Sequence, residues 1–590
     1  TMSSNADALI EQCFASGEQN STEDMLRCVS YQLQNHSGAQ EFSRNVFLVY
    51  SAALVFFMQA GFAMLCAGAV RKKNVQNTML KNLLDACGAA LAFFCVGFAF
   101  AFGGQDPTDP KKTFIGTENF FLMNVDDLAF WLYQYAFSAA SATIVAGTLA
   151  ERCQMVAYLC YSVLLGGFVY PVVAHSIWSY QGFLSTNSPD PLWGVGMVDF
   201  AGSGVVHMTG GTTALFATMI LGPRRGRFHD DTGRKLAKPK EFPGHSVALQ
   251  MLGTFTLWFG WYGFNAGSAL LLNSPKNDEV LALAGVNTTL AGGTAGIVAL
   301  FGNLCILERY TGEAFFDVKY LMNGCLAGLV AITGGCGVVE PWAAVVIGAI
   351  AGLLYMLGTW ALVKLRLDDA VDAIPVHMMN GAWGLIAVGL LASPGRLEVA
   401  YGRSEHVGFF YSFTHNGADA LLLAAQIVGL LFVFGWVMCI MLPFFVWLDW
   451  RGWFRSDPLE EIVGLDTSYH GGLMLGGEDQ INPEYVSAFN KRREENVRRR
   501  SERNPHISNT VLSEFDHDED NNSQDGHDRD KSGRSMKDGS LMKDSMMEVS
   551  YREKPRGFDA ALLEQAAAVE KSQLEDFEQL DRAEGVSIDL

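Results

Sequence analysis

Two histidines lie inside long apolar stretches, and each follows an aspartate by eight residues. His207 comes after Asp199, and His377 comes after Asp369. On a helix this spacing places both members of a pair on one face. An ionisable side chain within an apolar segment of membrane length is costly, so it is a candidate functional group by default. Two neutral imidazoles could pass a hydrogen bond or a proton between them. The alternative is a histidine that merely bonds a carbonyl between packed helices.

Aromatic and hydroxyl side chains share a helix face in two other apolar stretches. Tyr133 precedes Phe137 by four residues, and Phe264 precedes Ser268 by four. Trp178 ends a further apolar stretch. Aromatic faces with a hydroxyl, and without a ring of carboxylates, would attract a weakly hydrated monovalent cation. An interfacial aromatic belt with ordinary helix packing explains the same residues. Both interpretations stay open from the residues alone.

Composition predicts the elements that position these side chains. Of 590 residues, 49% are hydrophobic and only 18% are charged, and the apolar segments end near residue 450. Segments of about 20 apolar residues predict transmembrane helices. The prediction is an all-α polytopic membrane protein with eleven transmembrane helices in domain 46–450, preceded by an extracellular segment, 1–45. The predicted spans are 46–70, 80–103, 127–150, 154–178, 199–221, 246–271, 279–306, 320–339, 341–364, 371–392 and 417–448.

The charges of the connecting loops predict the orientation. Loops on one side, with the adjoining span ends, carry sixteen Lys and Arg, whereas the opposite loops between spans carry five. Because basic loops stay cytosolic, the N-terminus is predicted outside and the C-terminus in the cytosol. The acceptor triplets at Asn20 and Asn35 would then be available for glycosylation. Cys13 and Cys28 could form a disulfide on that side.

Eleven spans divide into five, five and one. Since five is odd, the second set of five begins on the opposite side of the membrane, as expected for two repeats of inverted topology. His207 lies in the fifth span and His377 in the tenth. Equivalent places in an inverted repeat meet near the midplane, so we expect the two histidines to be neighbours.

Several function classes are disfavoured. A net charge of −20 is no signature of nucleic-acid binding. The eleven cysteines show no CxxC or CxxH spacing, so neither a metal site nor another cofactor is expected. Two histidines without a nucleophile or metal-ligand spacing form no catalytic set, so an enzyme is not expected.

The polar tail divides in two. Residues 451–489 are Gly-rich and predicted to form an ordered cytosolic regulatory region. Residues 490–590 form an acidic tail that is predicted to be mostly disordered, although 491–500 hold two basic triplets. Apolar spacing in 558–582 favours one helix.

Five separated motifs resemble the ammonium transporter/methylammonium permease/Rhesus family, and most closely its plant and algal members. The resemblance covers roughly residues 46–475. The motifs are Asp199-Phe-Ala-Gly-Ser-Gly-Val-Val-His207, Gly147-Thr-Leu-Ala-Glu-Arg152, Trp261-Tyr-Gly-Phe-Asn-Ala-Gly-Ser268, Asp372-Ala-Ile-Pro-Val-His377 and Asp466-Thr-Ser-Tyr-His-Gly-Gly472.

The resemblance implies a role for each candidate residue. His207 and His377 would be the pore histidines. The other assignments it implies are cation recruitment by Phe137, Trp178 and Ser268, a gate of Phe137 and Phe264, and supporting roles for Asp199, Tyr133 and Asp372. Ser468, next to Thr467, occupies the place of a regulatory threonine.

The resemblance also implies an activity and its partners. We expect a homotrimer in the plasma membrane that transports ammonium or methylammonium, with a cytosolic kinase or regulator acting on the tail. Ammonium would lose a proton, NH3 would pass the histidines, and the proton would follow by a coupled path. The alternatives are an ammonium sensor and an electroneutral NH3 or CO2 channel of the Rhesus type.

Overall fold

The computed structural model describes residues 22–230, 233–272, 274, 276–311, 314–415, 417–470 and 483–503. Within these ranges the chain is helical, and β structure is limited to isolated bridges between single residue pairs. Several predicted features lie wholly or partly outside them: Asn20, Cys13 with its proposed disulfide, the regulatory region 451–489, the acidic tail 490–590 and the helix at 558–582. Asn35 and Cys28 lie within a helix that begins at Thr22.

Nine helices of the described residues are long and apolar enough to cross a membrane. Val247–Ser268 and Val318–Thr333 occupy the predicted sixth and eighth positions; the second has only 16 residues. The all-α multi-pass fold is therefore confirmed, while the number of eleven spans stays a prediction. In chain order the helices are α1 (Thr22–Ala69), α2 (Lys72–Phe102), α3 (Leu128–Thr148), α4 (Met155–Trp178), α5 (Ser203–Leu221), α6 (Val247–Ser268), α7 (Asn277–Thr311), α8 (Val318–Thr333), α9 (Pro341–Leu365), α10 (Ile374–Leu391), α11 (Leu421–Trp450), α12 (Pro458–Val463), α13 (Leu465–His470) and α14 (Pro483–Arg503).

Short helices occur in the connecting segments. They are Phe120–Leu122, Leu192–Gly194, Ala269–Leu271, Pro394–Tyr401 and Phe409–His415. Side-chain caps begin some of the long helices. Asp127 accepts a backbone N–H in the first turn of α3, and Ser246 does the same for α6. Such caps satisfy donors that a helix start leaves without partners.

Corresponding helices of the two predicted repeats pack together. α1 lies along α6, and the start of α5 contacts the start of α10. Glycine permits the second contact: a Cβ on Gly211 would lie 2.3 Å from the backbone nitrogen of Met378. A Cβ on Gly381 would lie 2.5 Å from the carbonyl oxygen of Ser203. Any larger residue at these positions would push α5 and α10 apart, and with them the two histidines.

The described chain divides into two compact units. The first contains α1 to α11 and α13. The second contains α12 and α14, which pack against each other. Helix α14 extends across 490–503, where the sequence predicts disordered chain. The physical reason is its run of good helix formers with opposite charges three and four residues apart.

Candidate functional site

His207 and His377 lie side by side in the interior. Their Nδ1 atoms are 3.2 Å apart, and the ring centroids are 5.3 Å apart with planes inclined by 19°. Both side chains are buried. Because the contact joins two Nδ1 atoms, one neutral ring must donate and the other accept, so their tautomers are complementary. Among the described protein groups, Nε2 of His207 has no hydrogen-bond partner. That nitrogen is therefore available to a small molecule beside the pair.

Each histidine lies in a π-helical turn that begins its helix. The turns are Ser203–Met208 in α5 and Ile374–Met379 in α10. The Asp199 carboxylate accepts three backbone N–H bonds of 2.9 to 3.1 Å from the residues that follow it. The Asp369 carboxylate accepts two, of 2.7 and 3.3 Å. Each aspartate thus fixes the turn that carries its histidine, and π turns of this kind are frequent at functional sites.

A series of aromatic rings leads to His207. Phe137 and Phe264 are both buried, and their rings stack with centroids 4.1 Å apart. The Phe264 ring lies 5.4 Å from the His207 ring. On the other side, the Trp178 ring lies edge-on to Phe137 at 5.8 Å. The stacked pair separates Trp178 from the histidines, so these three rings and His207 form one continuous path.

Hydroxyl groups lie beside the stacked phenylalanines. Tyr133 Oη is 3.2 Å from Ser268 Oγ, and both hydroxyls are within 2.9 Å of the carbonyl oxygen of Phe264. Since each hydroxyl can give its hydrogen to a carbonyl, its oxygen lone pairs can accept from a cation that carries N–H groups. The Trp178 indole donates to the backbone carbonyl of Asp199 at 2.7 Å. This bond fixes the orientation of the indole beside the Phe137 ring.

The structure adds Thr333 to the sites predicted from the sequence and places Trp261 against a pore histidine. Trp261 stacks on His207 with centroids 5.1 Å apart and planes inclined by 15°. Its indole donates to Thr333 Oγ1 at 2.9 Å. The Trp261 motif was visible in the sequence, but Thr333 lies in another span, and no local pattern connects it with the histidine.

A small cavity borders His377. Its lining includes Phe62, Cys66, Thr143, Asn323 and Val371. Nearby, the Asp372 carboxylate lies 2.8 Å from Lys319 Nζ and accepts from Tyr355 Oη at 3.0 Å. Asp372, which the resemblance assigns a supporting role, has a left-handed backbone with φ of 60°. These contacts compensate a conformation that most residues avoid.

Buried ion pairs join the loops at the ends of the helices. Glu151 contacts Arg71 Nε at 2.5 Å and Arg224 at 2.7 Å. The Arg224 guanidinium also makes two bonds to Asp368, of 2.8 and 2.9 Å. We call Glu151, Arg224, Asp368 and Arg71 the ion-pair cluster. The neighbouring Arg152 donates to backbone carbonyls, among them that of Asp368 at 2.6 Å. Four connecting segments, distant in sequence, are thereby held together.

The ion-pair cluster keeps its carboxylates charged. Burial alone would raise the pKa of Glu151, but Arg224 and Arg71 outweigh it and hold that pKa below its usual range. Burial would also raise the pKa of Asp368. The Arg224 guanidinium outweighs this effect and holds the pKa of Asp368 well below its usual range. Paired, hydrogen-bonded charges of this kind resist acid until the pH falls below the ordinary carboxylate pKa.

The tail helix α13 contacts the start of α2. The Asp466 carboxylate accepts from the backbone N–H groups of Asn77 and Gln76 at 2.7 and 3.0 Å. Asn74 accepts from the Leu465 N–H at 2.9 Å and donates to Glu151 at 3.0 Å. Asp466 thus caps α2 from a distance of almost 400 residues, and Asn74 connects the tail with the ion-pair cluster.

These features define a class of protein. A multi-pass helical chain that places paired histidines at the end of an aromatic path has the architecture of a membrane transporter or channel. Among the described residues, no group of three or more His, Cys, Asp and Glu is arranged to hold a metal ion.

Residues 46–474 match the model of the Ammonium Transporter Family, and the chain belongs to that family. Its function is ammonium transport across a membrane. The sequence is 43% identical to ammonium transporter 1 member 3 of Solanum lycopersicum, over 75% of this chain and 95% of that protein. It is 40% identical to ammonium transporter 3 of Dictyostelium discoideum, over 72% of this chain and 91% of that protein.

Solved structures share the fold. A sensor Amt protein aligns with a TM-score of 0.60 and 31% identity, covering 72% of this chain and 98% of that one. Mep2 of Candida albicans aligns with a TM-score of 0.60 and 27% identity, covering 71% of this chain and 87% of that one. The family expected from the five motifs and the all-α fold expected from the apolar segments are confirmed.

Proposed function

We propose that the chain recruits NH4+ beside Trp178, Phe137 and Ser268, removes a proton, and passes NH3 along the histidine pair. The aromatic faces attract the cation, and the hydroxyl oxygens accept its N–H groups. The stacked phenylalanines then exclude a hydrated ion. Neutral NH3 costs far less to place in a dry interior than NH4+ does. The proton follows by a separate coupled path.

The histidine pair is the observation that carries this proposal. Two buried imidazoles 3.2 Å apart offer hydrogen-bonding nitrogens without a fixed charge. A potassium ion has no proton to lose and no hydrogen bond to donate, so it gains nothing there that would replace its hydration shell. The arrangement therefore favours ammonia over K+ by chemistry rather than by size.

Electrical recording tests the proposed coupling. Cells that express the chain should show an inward current that saturates with ammonium concentration, together with matching uptake of labelled methylammonium. Uptake without current would instead support the electroneutral NH3 channel. A tail response to ammonium without either signal would support the sensor.

The recruitment group should set the apparent affinity. Trp178→Leu and Ser268→Ala each remove about 1 kcal/mol of cation–π or hydrogen-bond stabilisation. Each should therefore raise the half-saturating ammonium concentration roughly fivefold, measured from currents normalised to surface protein. Trp360→Leu is the matched control, because Trp360 is an exposed aromatic side chain of α9. Unchanged half-saturation in both site variants would reject this recruitment group.

The orientation and assembly belong to the same proposal. The excess of basic residues on one set of loops supports an N-terminus outside and a C-terminus in the cytosol. We place the chain in the plasma membrane as a homotrimer with one pore per subunit. Glycosylation at Asn20 and Asn35 would be accessible in this orientation.

The tail is proposed to regulate transport through α13. Ser468 is half-buried, and its hydroxyl donates to the Gly464 carbonyl at 2.9 Å. It lies two residues after Asp466, which caps α2. A phosphate there would add about −1.5 to −2 charges beside that carboxylate. A kinase acting on Ser468 or the adjacent Thr467 would thus loosen a segment that Asn74 connects with the ion-pair cluster.

Ser468→Asp should lower the ammonium current at equal surface expression, because the new carboxylate repels Asp466 and breaks the bond to Gly464. We expect the ammonium current to decrease at least about fivefold. This corresponds to a loss of roughly 1 kcal/mol in the binding of α13 to the start of α2. Ser468→Asn, which has the same size without the charge, should retain most of the current. Normal transport by the Asp variant would show that a charge at this position does not regulate the ammonium current.

A further inference from the structure

A buried acid and a buried base lie one helical turn apart in α2, and neither belongs to the aromatic path or to the ion-pair cluster. Asp85 is fully buried, and Lys81 is 1% exposed. The helix spans 31 residues, and Asp85 lies about 20 Å along it at about 1.5 Å per residue. Ionisable side chains at such a depth are costly, so each is a candidate functional group by default.

The Asp85 carboxyl group is only partly satisfied by its neighbours. Tyr161 Oη donates to Oδ2 at 3.1 Å, while Oδ1 has no hydrogen-bond partner among the described protein groups. Lys81 Nζ donates to the backbone carbonyl of Cys153 at 2.6 Å and lies 4.4 Å from the centre of the Tyr158 ring. The lysine is thus bonded to the backbone rather than to the carboxyl group. An unpaired carboxylate is expensive in a dry interior and a neutral carboxyl group much less so, and this arrangement therefore suits a side chain that binds a proton.

One cysteine brings the cavity beside His377 close to these groups. Cys66 lines that cavity. A Cβ on Gly147 would lie 2.8 Å from Cys66 Sγ, so the end of α3 packs against the thiol. The carbonyl oxygen of Ala146, the preceding residue, accepts from Tyr158 Oη. The thiol and the tyrosine hydroxyl therefore adjoin the same turn of α3.

Two tyrosines of α4 continue the route to the acid. The Tyr158 and Tyr161 ring centroids lie 5.3 Å apart, and Tyr161 contacts Asp85. Lys81 then reaches the connection between α3 and α4, which faces the cytosol in the proposed orientation. Thiol, hydroxyl and carboxyl groups can all donate and accept a hydrogen bond, as a proton route requires. The further titratable or charged groups near this route are Cys153 and Arg152 of the α3–α4 connection and Asp466 of α13.

We propose that Asp85 holds the proton that ammonium gives up, on the cytosolic half of its separate path. This inference rests on the proposed function, in which NH3 and the proton cross apart. The proton forms an O–H bond with Oδ1 of the Asp85 carboxylate and later leaves it for water at the cytosolic end. The positive charge of Lys81, one turn nearer that end, repels a bound proton and so promotes its release. One positive charge thus crosses with each NH3.

The test compares methylammonium current with uptake of labelled methylammonium in cells that express the full chain. Asp85→Asn keeps the shape of the side chain but removes the proton-binding carboxyl group. It should lower the ratio of current to uptake at least about tenfold, with uptake retained, because NH3 can still pass the histidines. Asp85→Glu returns a carboxyl group and should restore most of the ratio. Ser162→Ala is the matched control: Ser162 Oγ donates only to the backbone carbonyl of Asp85, at 3.1 Å, so its loss should leave the ratio unchanged.

A second variant keeps the carboxyl group and decides the question if Asp85→Asn does not reach the cell surface. Tyr161→Phe removes the hydrogen bond to Oδ2, which stabilises the carboxylate. The midpoint of the pH dependence of the current should therefore move about one pH unit upward.

The outcomes separate this inference from the proposed function. Uptake without current in the parent chain would contradict the proposed coupling itself. A parent that carries current, with a parental ratio in Asp85→Asn or an unchanged pH dependence in Tyr161→Phe, would overturn the role of Asp85 alone. So would a parallel loss of current and uptake in both Asp85→Asn and Asp85→Glu, because that result marks a structural residue.

Discussion

A potassium current is the expected result when an acid replaces either pore histidine. His207→Asp and His377→Glu each place a carboxylate among buried aromatic rings: Trp261 and Phe264 lie 5.1 and 5.4 Å from the His207 ring. An unsolvated charge there costs at least several kcal/mol, so water must enter with it. A hydrated pore can carry intact NH4+ and, by the same route, K+.

The measurement is current under K+ gradients without ammonium, normalised to surface protein. At least one acidic variant should raise the ratio of K+ to ammonium current by roughly tenfold or more, the effect of about 1.4 kcal/mol in selectivity. His207→Gln and His377→Gln are the matched controls, since an amide keeps hydrogen bonding but adds no charge. They should conduct little K+. If single and double substitutions all retain parental ammonium currents and K+ exclusion, the pair is only structural.

Loss of one carboxylate should strongly destabilise the protein. Glu151 is fully buried and pairs with Arg71 and Arg224, the second of which is itself only 4% exposed. Glu151→Gln removes one of the two carboxylates that pair with the buried Arg224, and breaking a buried ion pair costs about 3 to 5 kcal/mol. We therefore expect a large decrease in the midpoint of thermal unfolding of the detergent-solubilised protein.

Two comparisons make this prediction specific. Glu279→Gln removes an exposed partner of Arg396 and should cost at most about 1 kcal/mol. Arg224→Met should also destabilise the chain strongly, since it leaves the buried carboxylates of Glu151 and Asp368 without their shared counter-charge. A midpoint for Glu151→Gln as close to the parent as that of Glu279→Gln would show that the ion-pair cluster contributes little.

The pH dependence of stability follows from the same cluster. The pKa values of Glu151 and Asp368 are lower in the folded chain than in the unfolded one. The stabilisation is therefore fully present above the ordinary carboxylate pKa of about 4 and is lost as the pH falls through the lower folded values. The difference in unfolding midpoint between parent and Glu151→Gln should be constant near neutral pH and shrink in acid.

The pattern of the sequence alone determined several features of this protein. Hydropathy and the helical period are local properties, so they predicted the spans and placed His207 and His377 in two of them, the predicted fifth and tenth. The odd number of spans per repeat then predicted that the two histidines meet. The roles of Phe137, Phe264, Trp178 and Ser268 came from the family resemblance, because their spacing alone also fits an aromatic belt.

Only the tertiary structure decided how these residues meet. The 3.2 Å contact of the histidines depends on α5 crossing α10 at Gly211, and that crossing joins residues 170 positions apart. The Trp261 indole is held in position by its hydrogen bond to Thr333, which lies in another helix. Asp369 proved to hold the turn of His377, while Asp372 faces Lys319. Glu151 and Arg224 form their ion pair because folding brings together two segments that are distant in the sequence. A local pattern encodes which face of a helix is apolar, but the partner of a buried polar group is set by close packing between helices that the chain connects over long distances.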